Sequence, residues 1–397
     1  MVRVLQVTPV FGSIGGLENF IARLSEQLCD HGHPTLVVAD DLIPGPERRY
    51  ETRSLPGLAD LNAPCSAAVE AALLRYAAEF APDVILIHSA APRILHALSR
   101  SYPTACLVHS FLCAGSKLLR RSDRVCTHPI GPRCLIDWYA GPCGPNRSLQ
   151  SAWQSYRRSQ ALAGALQQAR AVLVASEFMR DYLATEGLQK ERIRVVADLN
   201  VGVPMAGADR PAAEPPYTVL FVGRVVYNKG IQYAVQALTH LGDSYRLVVV
   251  GDGWYLPRLK ALTDQLGLSS RVTFTGFLEG EALQAQYRQA SVAVVPSLLP
   301  EPAGLVVPEA RGQGLPVAAF DVGGIGEWTA TYDKIYLAAP ADVAALAGAI
   351  EAAATGKPAA GRHPARVPRE PLEQILIEIA SEAAPQLSLY GLKQVEA

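Results

Sequence analysis

In VAVVPSLLPEPAGLVVPEARGQGLPVAAFDVGGIGE, residues 292–327, a short apolar run gives way to a glycine- and proline-rich loop, a helical stretch and further glycine turns. VAVVPS is apolar on both faces, as a strand of a covered parallel sheet is. The residues after it lie at the strand's carboxyl end, where open α/β sheets bind ligands. Gly304 permits close backbone approach. A helix is expected to begin near Leu305, with Pro308 in its first turn, where proline is tolerated. The free N–H groups around Gly304, Leu305 and Val306 would then form an anion site.

Two carboxylates flank that site, Glu301 in the loop and Glu309 eight positions on. An ionised carboxylate accepts several hydrogen bonds, so sugar hydroxyls are suitable partners: a hexose for Glu301, a ribose for Glu309. A glutamate in a first helical turn also complements the helix dipole and, taken singly, needs no ligand. The combination with Gly304, the GQGLPV turn and the GGIGE loop points to a site.

The same alternation of strand and helix runs on both sides of this stretch. TVLFVGR (218–224), YRLVVVGDG (245–253) and RVTFTGF (271–277) read as strands with ligand-facing ends. In GRVVYNKG (223–230), Gly223 and Arg224 end a strand and Lys229 is expected to open a helix. Fixed cations at a sheet's carboxyl edge would stabilise a departing diphosphate more in the transition state than in the ground state. The chain has no D-x-D pair to chelate a metal with a diphosphate, so Arg224 and Lys229 stand in for the cation and no divalent metal is expected. Gly253 would bound a nucleotide pocket, and backbone groups of Phe277 and Leu278 would face a base.

Earlier in the chain, VRVLQVTPV (2–10), PTLVVADD (34–41), DVILIHS (83–89), TACLVHS (104–110) and AVLVASE (171–177) repeat the pattern. DLNVGVPMAGADRPAAEPPY (198–217) breaks it and reads as a linker. The expected fold is therefore α/β: two doubly wound Rossmann-like domains facing a central cleft. Residues 1–200 are expected to form the first domain, with an insert at 110–147, 201–216 the linker, 217–365 the second domain and 366–397 a helical tail.

A chain of 397 residues with 49% hydrophobic and 18% charged residues can fill two cores. Its formal net charge of −1 gives no sign of nucleic-acid binding. No signal peptide opens the sequence and no run reaches the ~18 apolar residues of a membrane span, so a cytoplasmic protein is expected, with peripheral contact at the inner membrane surface left open.

Together these motifs resemble the large retaining glycosyltransferase family four, of GT-B fold. The matching residues are Gly223, Arg224, Lys229 and Gly230; Gly251 and Gly253; Glu301, Pro302, Gly304, Leu305, Glu309 and Ala310; Gly314, Pro316 and Val317; Gly323, Gly324 and Glu327. In the first half, Gly15, Gly16 and Glu18 resemble the family's G-G-x-E turn, His109 stands where it commonly has an active-site histidine, and Ser176 fits its V-S-x-x-x-R-x-x-L element. Ala303 replaces the usual phenylalanine of E-P-F-G, and Arg311 the usual methionine.

The resemblance implies that Arg224 and Lys229 bind a donor diphosphate, that Glu301 and His109 contact the transferred sugar, and that Glu309 holds the ribose. Gly15 and Gly16 would let the first domain approach phosphates and acceptor. It also implies a retaining transfer from a uridine or guanosine diphosphate sugar to a glycan, lipid-linked or small-molecule acceptor, with no cofactor beyond that donor. The alternatives of the same architecture are an epimerase, a phosphorylase or a non-catalytic donor-binding subunit.

Four of the seven cysteines, Cys113, Cys126, Cys134 and Cys143, fall in the insert without a C-x-x-C knuckle. They read as small thiols in a loop-rich segment, with a metal site and disulfides as the alternatives. Lys117, Arg120, Arg121 and Arg124 add a basic cluster, either a solvated face or a contact for an anionic acceptor or headgroups.

Overall fold

A computed structural model describes residues 1–11, 16–42, 48–58, 66–88, 92–115, 118, 125–140, 143–144, 146, 148–197, 212–358 and 369–391. The chain divides into two compact units, one of Met1–Ser116, Thr127–Val201 and Val367–Ala397, the other of Lys117–Cys126 and Gly202–Arg366.

The first unit begins with seven strands: β1 (Val4–Phe11), β2 (Thr35–Leu42), β3 (Glu51–Ser54), β4 (Val84–His88), β5 (Thr104–Leu107), β6 (Ala171–Val174) and β7 (Ile193–Val196). The second unit holds β8 (Tyr217–Val222), β9 (Tyr245–Val250), β10 (Val272–Gly276), β11 (Val292–Val295), β12 (Val317–Phe320) and β13 (Ile335–Ala338). A two-residue strand β14 (Arg369–Glu370) then returns to the first sheet and pairs with β7. All pairings between these strands are parallel. The central strands are buried throughout, as β4 and β11 are, because helices cover both faces.

Strand order fixes where chemistry can sit. The second sheet runs β10-β9-β8-β11-β12-β13, the doubly wound order, and reverses direction between β8 and β11. The first sheet, β14-β7-β6-β5-β4-β1-β2-β3, reverses between β1 and β4. At such a reversal the flanking loops leave in opposite directions and open a crevice at the carboxyl edge.

The segment read as a helical tail is built into the first unit. Helix Leu372–Gly391 buries Leu372, Ile375, Leu376 and Ile379, a one-sided stripe. Arg194 on β7 pairs with Glu370 on β14 and, at 2.8 Å, with Glu378 on this helix.

One local expectation is corrected. Lys229 does not open a helix: it closes a 3-10 turn, Tyr227–Lys229, and Gly230 in the left-handed region (φ 70) separates it from helix Ile231–Ala237. The reason is close approach. A Cβ on Gly230 would stand 1.7 Å from the carbonyl oxygen of Pro296. Replacing Gly230 with alanine should therefore lower the stability of the second unit by more than ~2 kcal/mol, combining backbone strain with a backbone clash. Chemical denaturation followed by circular dichroism measures this. Gly242→Ala, where nothing lies within 4 Å of the new carbon, is the control and should shift the midpoint little.

Candidate active site

The loop after β8 and the loop after β11 are joined directly. The carbonyl of Asn228 accepts the N–H groups of Leu298 (3.0 Å) and Leu299 (3.1 Å). This union brings Lys229 Nζ to 2.6 Å from Glu301 Oε1. Ser297 Oγ donates to the same oxygen, at 2.5 Å. Glu301 is 9% exposed, and Oε2 of its carboxylate has no partner among the described residues. A buried charge left without its counterion is costly, so the pair fixes both side chains.

The GGIGE turn holds the Glu301 loop from the other side. Gly324 N–H donates to the Glu301 carbonyl at 2.8 Å, and Trp328 Nε1 donates to the Ala303 carbonyl at 2.5 Å. Gly323 is also glycine by necessity: at φ +59, a Cβ there would lie 2.5 Å from Glu301 N and O.

The other expected groups of the second unit fall along the same carboxyl edge. Arg224 is exposed two residues past β8, with no side-chain partner among the described residues. Gly223 N–H bonds Val250 O (3.0 Å) and Val225 N–H bonds Asp252 O (2.8 Å), which ties this loop to the one carrying Gly253. Gly304 precedes Leu305, the N-cap of helix Val306–Gly312, so the expected helix start is there. Glu309 lies in its first turn beside buried Tyr287, whose phenol is pushed well above its ordinary range by burial and by the Glu309 carboxylate. Phe277 is 64% exposed and Leu278 half-buried, both just past edge strand β10. Arg311 is buried and donates through Nη1 to Leu315 O at 3.0 Å, a bracing role for the GQGLPV turn.

Of the expected groups in the first unit, Gly15 lies outside the described residues, and Gly16 opens helix Gly16–Asp30. Ser176 caps helix Glu177–Thr185, accepting the Met179 N–H at 3.2 Å. His109 stands two residues past β5, half-buried. Its Nε2 is 3.2 Å from Nδ1 of His88, the last residue of β4, and the two rings stack at 5.5 Å. His88 is fully buried, and its Nε2 is 2.9 Å from Gln6 Oε1 on β1. Burial, then neighbouring His109, holds His88 well below its ordinary pKa, and burial pushes His109 down to about 4. Reading the sequence missed His88 and Gln6. The signal was the shared ending of DVILIHS and TACLVHS, a histidine and a serine closing two neighbouring strands.

In the insert, Cys134 is buried with Trp138, Ala152 and Tyr156, and Cys143 packs on that cluster. Cys113, Cys126 and Cys143 are half-buried. Among the described residues no three His, Cys, Asp or Glu side chains are placed to hold a metal ion. Lys117, Arg120, Arg121 and Arg124 lie outside the described residues. No helix among the described residues is long and apolar enough to cross a membrane.

Two doubly wound parallel sheets, one with an ion pair at its reversal point, define an α/β protein of the doubly wound class. Comparison with known proteins narrows the class. Residues 14–197 match the model described as Glycosyltransferase Family 4, and residues 208–364 the one described as Glycosyl transferases group 1. A 2-deoxystreptamine N-acetyl-D-glucosaminyltransferase of Streptomyces fradiae is 27% identical over 89% of this chain and 88% of its own. A 2-deoxystreptamine glucosyltransferase of Streptomyces kanamyceticus is 39% identical over 33% of this chain and 34% of that protein. An uncharacterized glycosyltransferase of Methanocaldococcus jannaschii is 40% identical over 28% of each chain. The match thus spans about a third or less of the length of these last two relatives.

Among solved structures, sucrose-phosphate synthase from Thermosynechococcus elongatus superposes with a TM-score of 0.65 at 22% identity over 100% of both chains. Anabaena HepE in complex with UDP and glucose gives 0.63 at 18% identity, over 98% of this chain and 100% of that one. These likenesses establish the GT-B fold with its two Rossmann-like domains. The chain belongs to glycosyltransferase family four.

The histidine pair gives stability a pH dependence. Both rings are neutral in the folded protein, with pKa values below the ordinary ~6.5 of the unfolded chain. The unfolded state therefore takes up more protons as pH falls, so their contribution is complete above pH ~6.5 and is lost toward pH ~4. Unfolding free energies measured from pH 7 to 4.5 should fall. The slope should be shallower in His109→Gln by up to about one proton, ~1.4 kcal/mol per pH unit.

Proposed function

We propose that this protein is a retaining glycosyltransferase that moves a sugar from a uridine or guanosine diphosphate donor to an acceptor hydroxyl, without a divalent metal. The observation that carries this reading is the Lys229–Glu301 contact of 2.6 Å at the β8–β11 reversal. One oxygen of Glu301 is taken by Lys229 and Ser297, which leaves the other to accept hydroxyls of the transferred sugar. Lys229 and the exposed Arg224 supply positive charge at the edge where the diphosphate would leave. Backbone N–H groups at Gly304, Leu305 and Val306 would hold its phosphates, Glu309 the ribose, and the backbone at Phe277 and Leu278 the base.

None of the candidate side chains is a convincing covalent nucleophile. Attack on the face from which the diphosphate departs accounts for retention, with the departing oxygen as the base nearest the incoming hydroxyl. For the acceptor, the support lies in the relatives: two Streptomyces proteins named for 2-deoxystreptamine favour a small polyhydroxylated molecule over a glycan or a lipid-linked acceptor. Peripheral contact with a membrane draws support from exposed apolar side chains, Ile136 (66%) on insert helix Arg133–Ala140 and Leu149 (69%) and Trp153 (51%) on helix Leu149–Leu166 just past the insert.

Two outcomes are expected. Nucleoside diphosphates and their sugars should raise the melting temperature, and the base that does so most identifies the donor class. With that donor, Glu301→Gln, Lys229→Met and Arg224→Met should each lower kcat by about 10²–10³ while the fold, read by circular dichroism, is kept. Turnover like the wild type in these variants would overturn the assignment. The anomeric proton coupling of the product, read by NMR, separates retention from inversion, and donor incubated alone excludes an epimerase if it is recovered unchanged.

A further inference from the structure

A single line of polar groups crosses the apolar interior of the first sheet, and its direction is fixed at one end. Ser25 Oγ lies 2.8 Å from the carbonyl oxygen of Ile21, which only accepts, so the serine hydroxyl donates there. With its one proton committed, Ser25 accepts from Gln6 Nε2 at 2.8 Å. Gln6 Oε1 therefore faces His88 Nε2 at 2.9 Å, and a carbonyl-type oxygen requires that this nitrogen carry the proton. A neutral imidazole protonated on Nε2 has a bare Nδ1. That atom stands 3.2 Å from His109 Nε2, which must be the donor. His109 is left with a bare Nδ1, for which no described residue supplies a donor.

We propose that Gln6 and His88 are positioning residues that lock His109 as its Nε2–H tautomer, so that His109 meets its ligand through Nδ1 as an acceptor of a hydroxyl proton. Every link is buried or half-buried: Gln6, Ser25 and His88 are each 0% exposed. Phe20 closes the apolar side, its ring edge-on to both imidazoles at 6.1 and 6.2 Å. A second proton on His88 would set its Nδ1–H against the Nε2–H of His109 and break the line, and one on His109 would occupy Nδ1 and remove the acceptor, so the low basicity of both rings supports the same state. The consequence is chemical selectivity. An ionised phosphate has no proton to offer a bare ring nitrogen, whereas a sugar hydroxyl does. The ligand half of the proposal rests on the glycosyltransferase reading; the tautomer half does not.

The test is a long-range proton–nitrogen correlation spectrum of the ¹⁵N-histidine-labelled full chain at pH 7, without ligand. Signals are assigned by their loss in His109→Gln and His88→Asn. His88 and His109 should both show the neutral Nε2–H pattern; a charged ring or an Nδ1–H pattern at His109 overturns the proposal. His88→Leu removes the acceptor, so His109 should exchange between tautomers and kcat should fall by about ten- to a hundredfold with little change in donor binding. His88→Asn places an amide oxygen near the position of the lost Nδ1, and should restore the tautomer and most of the lost rate. A His88→Leu protein with unchanged tautomer and rate overturns the positioning role; should it fail to fold, Gln6→Met replaces it. If the tautomer is as stated but His109→Gln transfers sugar at the wild-type rate, the ligand half is overturned while the relay stands.

Discussion

The carbonyl of Asn228, accepting two amides from Leu298 and Leu299, is the constraint on which the candidate site depends. It ties the loop that leaves β8 to the loop that leaves β11 at the place where the sheet reverses direction. Lys229 follows directly after Asn228, and Glu301 comes two residues after Leu299. Once the two loops are joined, a cation and a carboxylate 72 positions apart have little choice but to meet. Gly230 and Gly323 press the backbones together on either side of the pair, at Pro296 and at Glu301. The ion pair is thus a product of backbone hydrogen bonding, and its charges are held before any ligand arrives. Prearranged charge of this kind is what stabilises a developing anion without reorganisation at the moment of reaction.

The first unit answers the same demand differently. At its own reversal, between β1 and β4, it places neutral groups: an amide and an imidazole on the two strands, and a second imidazole just past neighbouring β5. Burial keeps these rings uncharged, and the carbonyl of Ile21 sets the direction of every proton along the line. The second unit thus presents charged groups at its reversal and the first neutral ones.

Much of the fold was legible because each central strand is a continuous apolar run, such as VILIH in β4 or VAVV in β11, bounded by small or polar residues. Burial on both faces is a local property of sequence. The glycines at 223, 253, 304 and 323 marked the loops for the same reason. Less legible were the elements whose existence depends on a distant partner. Strand β14 is two residues long and forms only because β7 offers an edge to it. Lys229 looked like the start of a helix, since nothing nearby in sequence announces that Pro296 will press on Gly230. His88 looked like the end of an apolar strand, and a structural histidine there has the same sequence as one that orients a neighbour.

The sequence by itself determined the class of each domain and the residue types available at the carboxyl edges: acids and cations in the second half, glycine and histidine in the first. Tertiary structure alone decided which of these meet. The order β10-β9-β8-β11-β12-β13 arises from pairing between strands far apart in the chain, and hydrophobic periodicity does not encode it. Which nitrogen of His109 carries the proton is likewise a property of the folded protein, because it is set by a carbonyl on a helix, an amide on β1 and an imidazole on β4. Apolar patterning is written residue by residue; contact and proton position exist only once distant segments share a neighbourhood.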